Sequence, residues 1–201
     1  MAIIHRAELT PTKPEILRAL LASRGWLEDG DPTVLGAYRF DDPAGHVGIE
    51  CHLVRTGETI FHLPLTYRSA PIGAAAGAAG GDSAAVEPVA TMQHSVLGTR
   101  YVHDALDDEV ALEAFWRALC GAQQQAALDV HDDGRLVEHR AQSVALRLEI
   151  DPGAQAPQLA QLEDDGTSFT IAQSLGGIDG AVRLVAEWGE GSGVVAAYDG
   201  D

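Results

Sequence analysis

Lysine occurs once, as Lys13, and asparagine does not occur at all in the 201 residues. P-loop and protein-kinase-like sites place a lysine on the nucleotide phosphates, and kinase catalytic loops set an asparagine on the second metal ion. Lys13 belongs to a helix start, so phosphoryl transfer has no residues here to carry it. Cysteine is nearly absent too. Cys51 falls within a predicted strand and Cys120 on the apolar stripe of a predicted helix, so both read as buried free thiols of a reducing compartment, with a disulfide as the weaker alternative. No apolar run approaches eighteen residues, and Met1-Ala2-Ile3-Ile4-His5-Arg6 lacks the cationic region and apolar stretch of a leader. A cytoplasmic protein with no membrane partner is expected. Basic residues are also few: 13 Lys and Arg against 30 Asp and Glu give a formal charge of −17. The excess is uneven, with 8 basic and 11 acidic groups in residues 1–100 but 5 and 19 in residues 101–201. Such an acidic protein repels phosphate backbones and anionic lipid, which excludes nucleic acid as a partner and leaves a basic protein face or a neutral sugar.

What is present is an apolar fraction of 46%, enough to bury a core in a chain of this length. Ala2 to Leu9 reads as a short strand. Thr12-Lys13-Pro14-Glu15 is a capping box that opens a helix to about Ser23, with Ile16, Leu17, Leu20 and Leu21 at helical spacing and Gly25 as its stop. Residues 35–68 read as an antiparallel meander with turns at Asp41-Asp42-Pro43-Ala44-Gly45 and Thr56-Gly57-Glu58. A three-residue loop at the second turn sets Arg55 against Thr59 and pairs Leu53 with Phe61, Cys51 with Leu63 and Ile49 with Leu65, so that every pair on that face is apolar. The Ala-Gly-rich stretch from Ser69 to Ala90 reads as a mobile surface loop. Leu97 to His103 returns to strand, and Asp107 or Asp108 caps a second helix bearing Leu112, Phe115, Trp116, Leu119 and Cys120, which Gln123 to Ala127 extend. Further strands are predicted in Ser143–Ile150, Ser168–Ala172, Ala181–Trp188 and Val194–Tyr198. The fold class is α+β: a curved antiparallel β-sheet packed by two main helices, with additional C-terminal strands. Residues 1–130 form the main domain, and 131–201 an acidic, β-rich extension of it.

The predicted register places His46, Glu50, His52 and His62 on one sheet face, the candidate ligand or metal face; its alternative is a solvated or helix-covered surface. His131-Asp132-Asp133 with His139 is similar to the His-Gly-Asp of sugar kinases, but without the downstream asparagine it reads as a charged turn. His94-Ser95 and His103-Asp104 lack a nucleophile elbow, and Ser95 is expected to bond backbone. The glycines near Gly177 and Gly180, and those at 73–81, precede no lysine and cradle no phosphate. No cofactor and no catalytic residue is assigned. Trp116 is expected in the core, and Arg39, Arg68 and Arg100 are expected to knit the sheet to carboxylates such as Glu50.

Several words stand in order along the first half: Leu35-Gly36-Ala37-Tyr38-Arg39-Phe40-Asp41-Asp42-Pro43, Val47-Gly48-Ile49-Glu50, Pro64-Leu65-Thr66-Tyr67-Arg68, and His94-Ser95-Val96-Leu97-Gly98-Thr99-Arg100-Tyr101. With Ile3-Ile4-His5-Arg6-Ala7 ahead of them, they resemble the N-terminal cap domain of actinobacterial maltokinases over roughly residues 1–130. The resemblance implies a curved antiparallel sheet with helices that holds none of the phosphoryl-transfer residues. In that family the cap precedes a bilobed kinase that phosphorylates maltose on a route to α-glucan. Residues 131–201 are too few for kinase lobes, and Gln93, Tyr101 and His103 depart from the glutamate, tryptophan and tyrosine expected there. A glucan-branching activity would need a barrel with carboxylate catalysts that 201 residues cannot house. The expectation is therefore a non-catalytic accessory or interaction module of maltose, trehalose or glycogen metabolism, partnered by an enzyme of those routes. The alternative is a small-ligand (sugar) binding protein or enzyme with its pocket between the sheet and the second helix. Phe61, Phe115 and Trp116 filling that space would weigh against it.

Overall fold

Thr12 and Glu15 start a helix as their spacing predicts. In the computed structural model, which describes residues 3–5, 7–73, 85–132, 135–163, 168–189 and 191–200, Glu15 reaches back to accept from the Thr12 amide at 2.7 Å and its hydroxyl at 2.8 Å. Helix α1 (Lys13–Ser23) ends on Gly25 at φ +68°, where the Trp26 amide donates to Leu21 and that of Gly25 to Ala22. Before it, the single N-terminal strand expected from the sequence is two: β1 (Ile3–His5) and β2 (Leu9–Thr10), which join different sheets. The meander is β3 (Thr33–Phe40), β4 (Gly48–Thr56) and β5 (Thr59–Arg68), followed by β6 (Ala90–His94) and β7 (Gly98–Asp104). These strands make a curled antiparallel sheet in the order β2-β6-β7-β5-β4-β3. The stretch expected as a mobile loop, between β5 and β6, lies in large part outside the described residues.

Helix α2 (Glu109–Leu119) is capped by Asp108, whose carboxylate accepts from the Val110 amide at 3.1 Å. It stops sooner than the sequence suggests, because Gly121 takes φ +72° and turns the chain away before the glutamines. Cys51 is buried and Cys120 half-buried, and both are free thiols. Beyond α2 the His131-Asp132 segment is strand and not turn. It belongs to β8 (Leu128–Asp132), which pairs in parallel with β1 and antiparallel with β9 (Arg135–Arg140), where His139 Nδ1 lies 2.7 Å from Asp129 Oδ1. The later strands follow the sequence reading: β10 (Val144–Ile150), β11 (Thr170–Ile171), β12 (Val182–Trp188) and β13 (Gly191–Tyr198) form a second sheet in the order β10-β12-β13-β11.

Adjacent positions on α2 point to different sheets. Phe115 meets Phe40 edge-on at 5.2 Å, and Trp116 meets Tyr198 at 5.4 Å, so α2 joins the main sheet and the C-terminal sheet in one apolar cluster. Gly36 permits the two sheets to approach: a Cβ there would stand 2.7 Å from Val144 Cγ2. Helix α1 covers the opposite face of the main sheet, where Ile16, Leu17, Leu20 and Leu21 pack with Val54, Phe61, Leu63 and Leu65. No helix among the described residues is long and apolar enough to cross a membrane.

The β4–β5 register differs from the expectation. The turn closes on Thr56 and Thr59, with Gly57 at φ +54° and Glu58 between them, and every pair moves by one: Leu53 faces His62, His52 faces Leu63, and Cys51 faces Pro64. A two-residue loop with a left-handed first position matches strand twist. The expectation assumed one dry face and one wet face. Both faces are covered here, so apolar residues occur at both parities and the pattern cannot select a register.

Candidate functional site

His62, on the face toward α2, is a structural histidine. Its Nδ1 donates to the Ala172 carbonyl at 2.8 Å, which leaves Nε2 to accept from the Tyr38 hydroxyl at 2.8 Å. Burial pushes it down to about 4, against an ordinary value of 6.5, although the bond to Ala172 acts the other way. Together with backbone bonds from His62 to Gln173 and from Leu175 to Ile60, it ties β5 to the segment after β11. The proposed four-residue face is therefore not assembled: His62 lies on one side of the sheet, Glu50 and His52 on the other, and His46 is exposed in the β3–β4 connection. Among the described residues no group of three His, Cys, Asp or Glu side chains is arranged to hold a metal. The space between sheet and α2, which the alternative reading took as a pocket, holds Phe115 and Trp116, both fully buried, while Phe61, expected with them, packs on the α1 side because the register moves it to the other face.

The open site lies on the other face. The β3–β4 connection is an Asx turn: Asp42 accepts from the amides of Ala44, His46 and Val47 at 2.9, 2.8 and 2.9 Å, and Gly45 closes it at φ +73°. Burial acts to raise the Asp42 carboxyl, and the three amides more than offset it. This turn, the N-terminus of α1, the ends of β4 and β5, and the β6–β7 hairpin enclose a cleft of about 550 Å³. Into it come Arg39, Asp41, Glu50, Tyr67, His94 and Arg100, six of the residues carried by the sequence words. The lone lysine is there as well, a role its place in a capping box gave no reason to expect.

Lys13 pairs with Glu50 and stands 5.7 Å from the centre of the Tyr67 ring. Burial acts to raise Glu50, but His52, Lys13 and Arg39 together hold it down at about 2, so it is ionised and engaged. His52 sits beneath, its Nε2 3.9 Å from a Glu50 oxygen, and burial lowers it toward the neutral form. Burial, then the neighbouring Glu50 charge, raises the Tyr67 phenol. Two donors here have no hydrogen-bond partner among the described residues: the buried Arg39 Nε and the buried Tyr67 hydroxyl.

The other motif residues hold the frame. Arg68 grips Asp108 with two bonds of 2.7 and 2.6 Å, linking β5 to the cap of α2. Ser95 bonds backbone as expected, accepting from the Glu8 amide at 3.0 Å, while His94 Nδ1 accepts from Val96 and Leu97 in the turn that Gly98 closes at φ +73°. Serine and histidine are thus each engaged with main chain, and His103 is fully buried. Trp26 stacks on Phe61 at 4.8 Å and covers the far end of the α1 side.

Residues 21–108 match the family model of the maltokinase N-terminal cap domain. That span runs from the end of α1 to the cap of α2, is shorter than the 1–130 expected, and leaves Ala7, Leu9 and Lys13 of the cleft outside it. No curated protein and no solved structure matches the chain.

Proposed function

We propose that this chain is a non-catalytic accessory or interaction module of maltose, trehalose or α-glucan metabolism, cytoplasmic, and partnered by an enzyme of those routes. The observation that carries the proposal is the match of residues 21–108 to a domain that accompanies maltokinase. The chemistry of the cleft supports it. Lys13 is engaged by Glu50, and Glu50 is ionised and paired, so neither is free to act as a phosphate ligand or a general base. The acidic second half of the chain suits a basic docking face on the partner. Affinity capture from a native lysate tests this: an identified maltose- or trehalose-handling enzyme should co-purify with the tagged chain. ATP-dependent turnover of a saccharide by the purified chain alone would refute the non-catalytic role.

A second reading is favoured by the open cleft itself. Its volume lies in the range of small-molecule sites, and its wall mixes Phe40, Tyr67 and Met92 with polar groups, as a site for a sugar-sized ligand does. In this reading the module binds a small molecule on the α1 side of the sheet.

A further inference from the structure

We propose that the cleft binds a small ligand bearing a phosphate or carboxylate group, held by Arg39 and Arg100, with the Tyr67 hydroxyl as a further donor. The proposal rests on the second reading above and adds to it the charge of the occupant.

Three cationic side chains and three carboxylates line the cleft. The carboxylates are engaged: Glu50 by Lys13, Asp42 by three backbone amides, and Asp41 also has a partner. Arg39 and Arg100, in contrast, make no ion pair with a carboxylate among the described residues, and the hydrogen bond of Arg100 runs to the Thr99 carbonyl at 3.2 Å. In a chain of charge −17 this is unusual. Arg18, Arg24, Arg68, Arg117, Arg140, Arg147 and Arg183 each hold a carboxylate. Of the described arginines for which no such pair is seen, Arg39 and Arg100 are the two that face the cleft.

A guanidinium is a planar fork of donors that matches the oxygens of phosphate or carboxylate, and a buried donor without an acceptor costs free energy until one arrives. Arg39 Nε and the Tyr67 hydroxyl are two such donors on the inner wall. An oxyanion satisfies both and balances the guanidinium charge, which a neutral ligand does not. The volume of about 550 Å³ leaves room for a body of mono- or disaccharide size behind the charged group.

Calorimetric titration of the full chain with inorganic phosphate, glucose 1-phosphate, gluconate and maltose tests the assignment. Saturable one-site binding of an anionic probe is expected, weakened at least tenfold by Arg100→Ala and by Arg39→Gln, and weakened again by added salt. Phosphate and glucose 1-phosphate binding without gluconate assigns a phosphate ester; gluconate alone assigns a carboxylate. Maltose binding as tightly as glucose 1-phosphate would overturn the oxyanion and leave the small-molecule reading standing. Saturation by none of the four would overturn both. Arg39 neighbours the buried Glu50, so its variant needs a melting check; Arg100→Ala and chemical-shift mapping on the unmodified chain give independent readouts. Undiminished affinity in Arg100→Ala, or shifts centred away from the cleft, would refute the site.

Discussion

The two faces of the main sheet carry similar residues and resolve them in opposite ways. Toward α2, a histidine and a tyrosine are buried together and satisfy each other: Tyr38 to His62, His62 to Ala172. Toward the cleft, a half-buried tyrosine, a half-buried arginine and a buried histidine leave Tyr67 OH, Arg39 Nε and His52 Nε2 without a hydrogen-bond partner among the described residues. Buried polar groups without partners cost free energy, and the α2 face carries one as well, at His103 Nδ1. The first face is closed by α2 and holds the fold together, whereas the second opens into the cleft.

The sharpest way to break the comparison is to empty the first face. Phe115 is fully buried between Phe40 and His62, and Phe115→Ala should destabilise by about 3–5 kcal/mol in urea unfolding. Because α2 joins both sheets, the loss should appear as one transition for the whole chain. A first transition confined to the C-terminal sheet would show that the shared core is less cooperative than its packing implies.

The buried histidines and Glu50 should also fail in different pH windows. His62 has its folded pKa depressed from 6.5 to about 4, so the unfolded chain takes up the proton first. Its contribution is full above pH 6.5 and is lost as pH falls toward 4, about 3 kcal/mol in all if the depression is complete. Burial lowers His52 and His103 in the same sense. Glu50 is a carboxylate held at about 2 against 4.5, so its contribution is present above pH 4.5 and lost between there and pH 2. Stability measured against pH should fall in two stages. His62→Gln should flatten the first and Glu50→Gln the second; a His62→Gln profile that keeps the upper slope would show that His52 and His103 dominate that window.

Much of this architecture is legible in the sequence wherever a local rule acts alone. The Thr12–Glu15 capping box, the stripe on α2, the meander and the four C-terminal strands follow from periodicity and turn chemistry. The β4–β5 register does not, because covering both faces erases the alternation that would reveal it. The parallel pairing of β1 with β8 joins segments far apart in the chain and leaves no local mark. The cleft was half legible. Its motif residues stand out as words, but Lys13 and the Asp42 turn enter it through tertiary packing.

The smallest expected effect is the most discriminating, because it makes one chemical change on both faces. Tyr38→Phe removes the donor to His62 and leaves a buried ring nitrogen unpaired, which should cost about 1–3 kcal/mol. Tyr67→Phe removes a hydroxyl that has no hydrogen-bond partner among the described residues, so none of them is stranded, and stability should change by less than about 0.5 kcal/mol or rise slightly. Anion binding should reverse the order: Tyr67→Phe should weaken it several-fold while Tyr38→Phe leaves it unchanged. Equal stability losses in the two variants would mean that the Tyr67 hydroxyl serves the fold as Tyr38 does, and the distinction between the faces would fall.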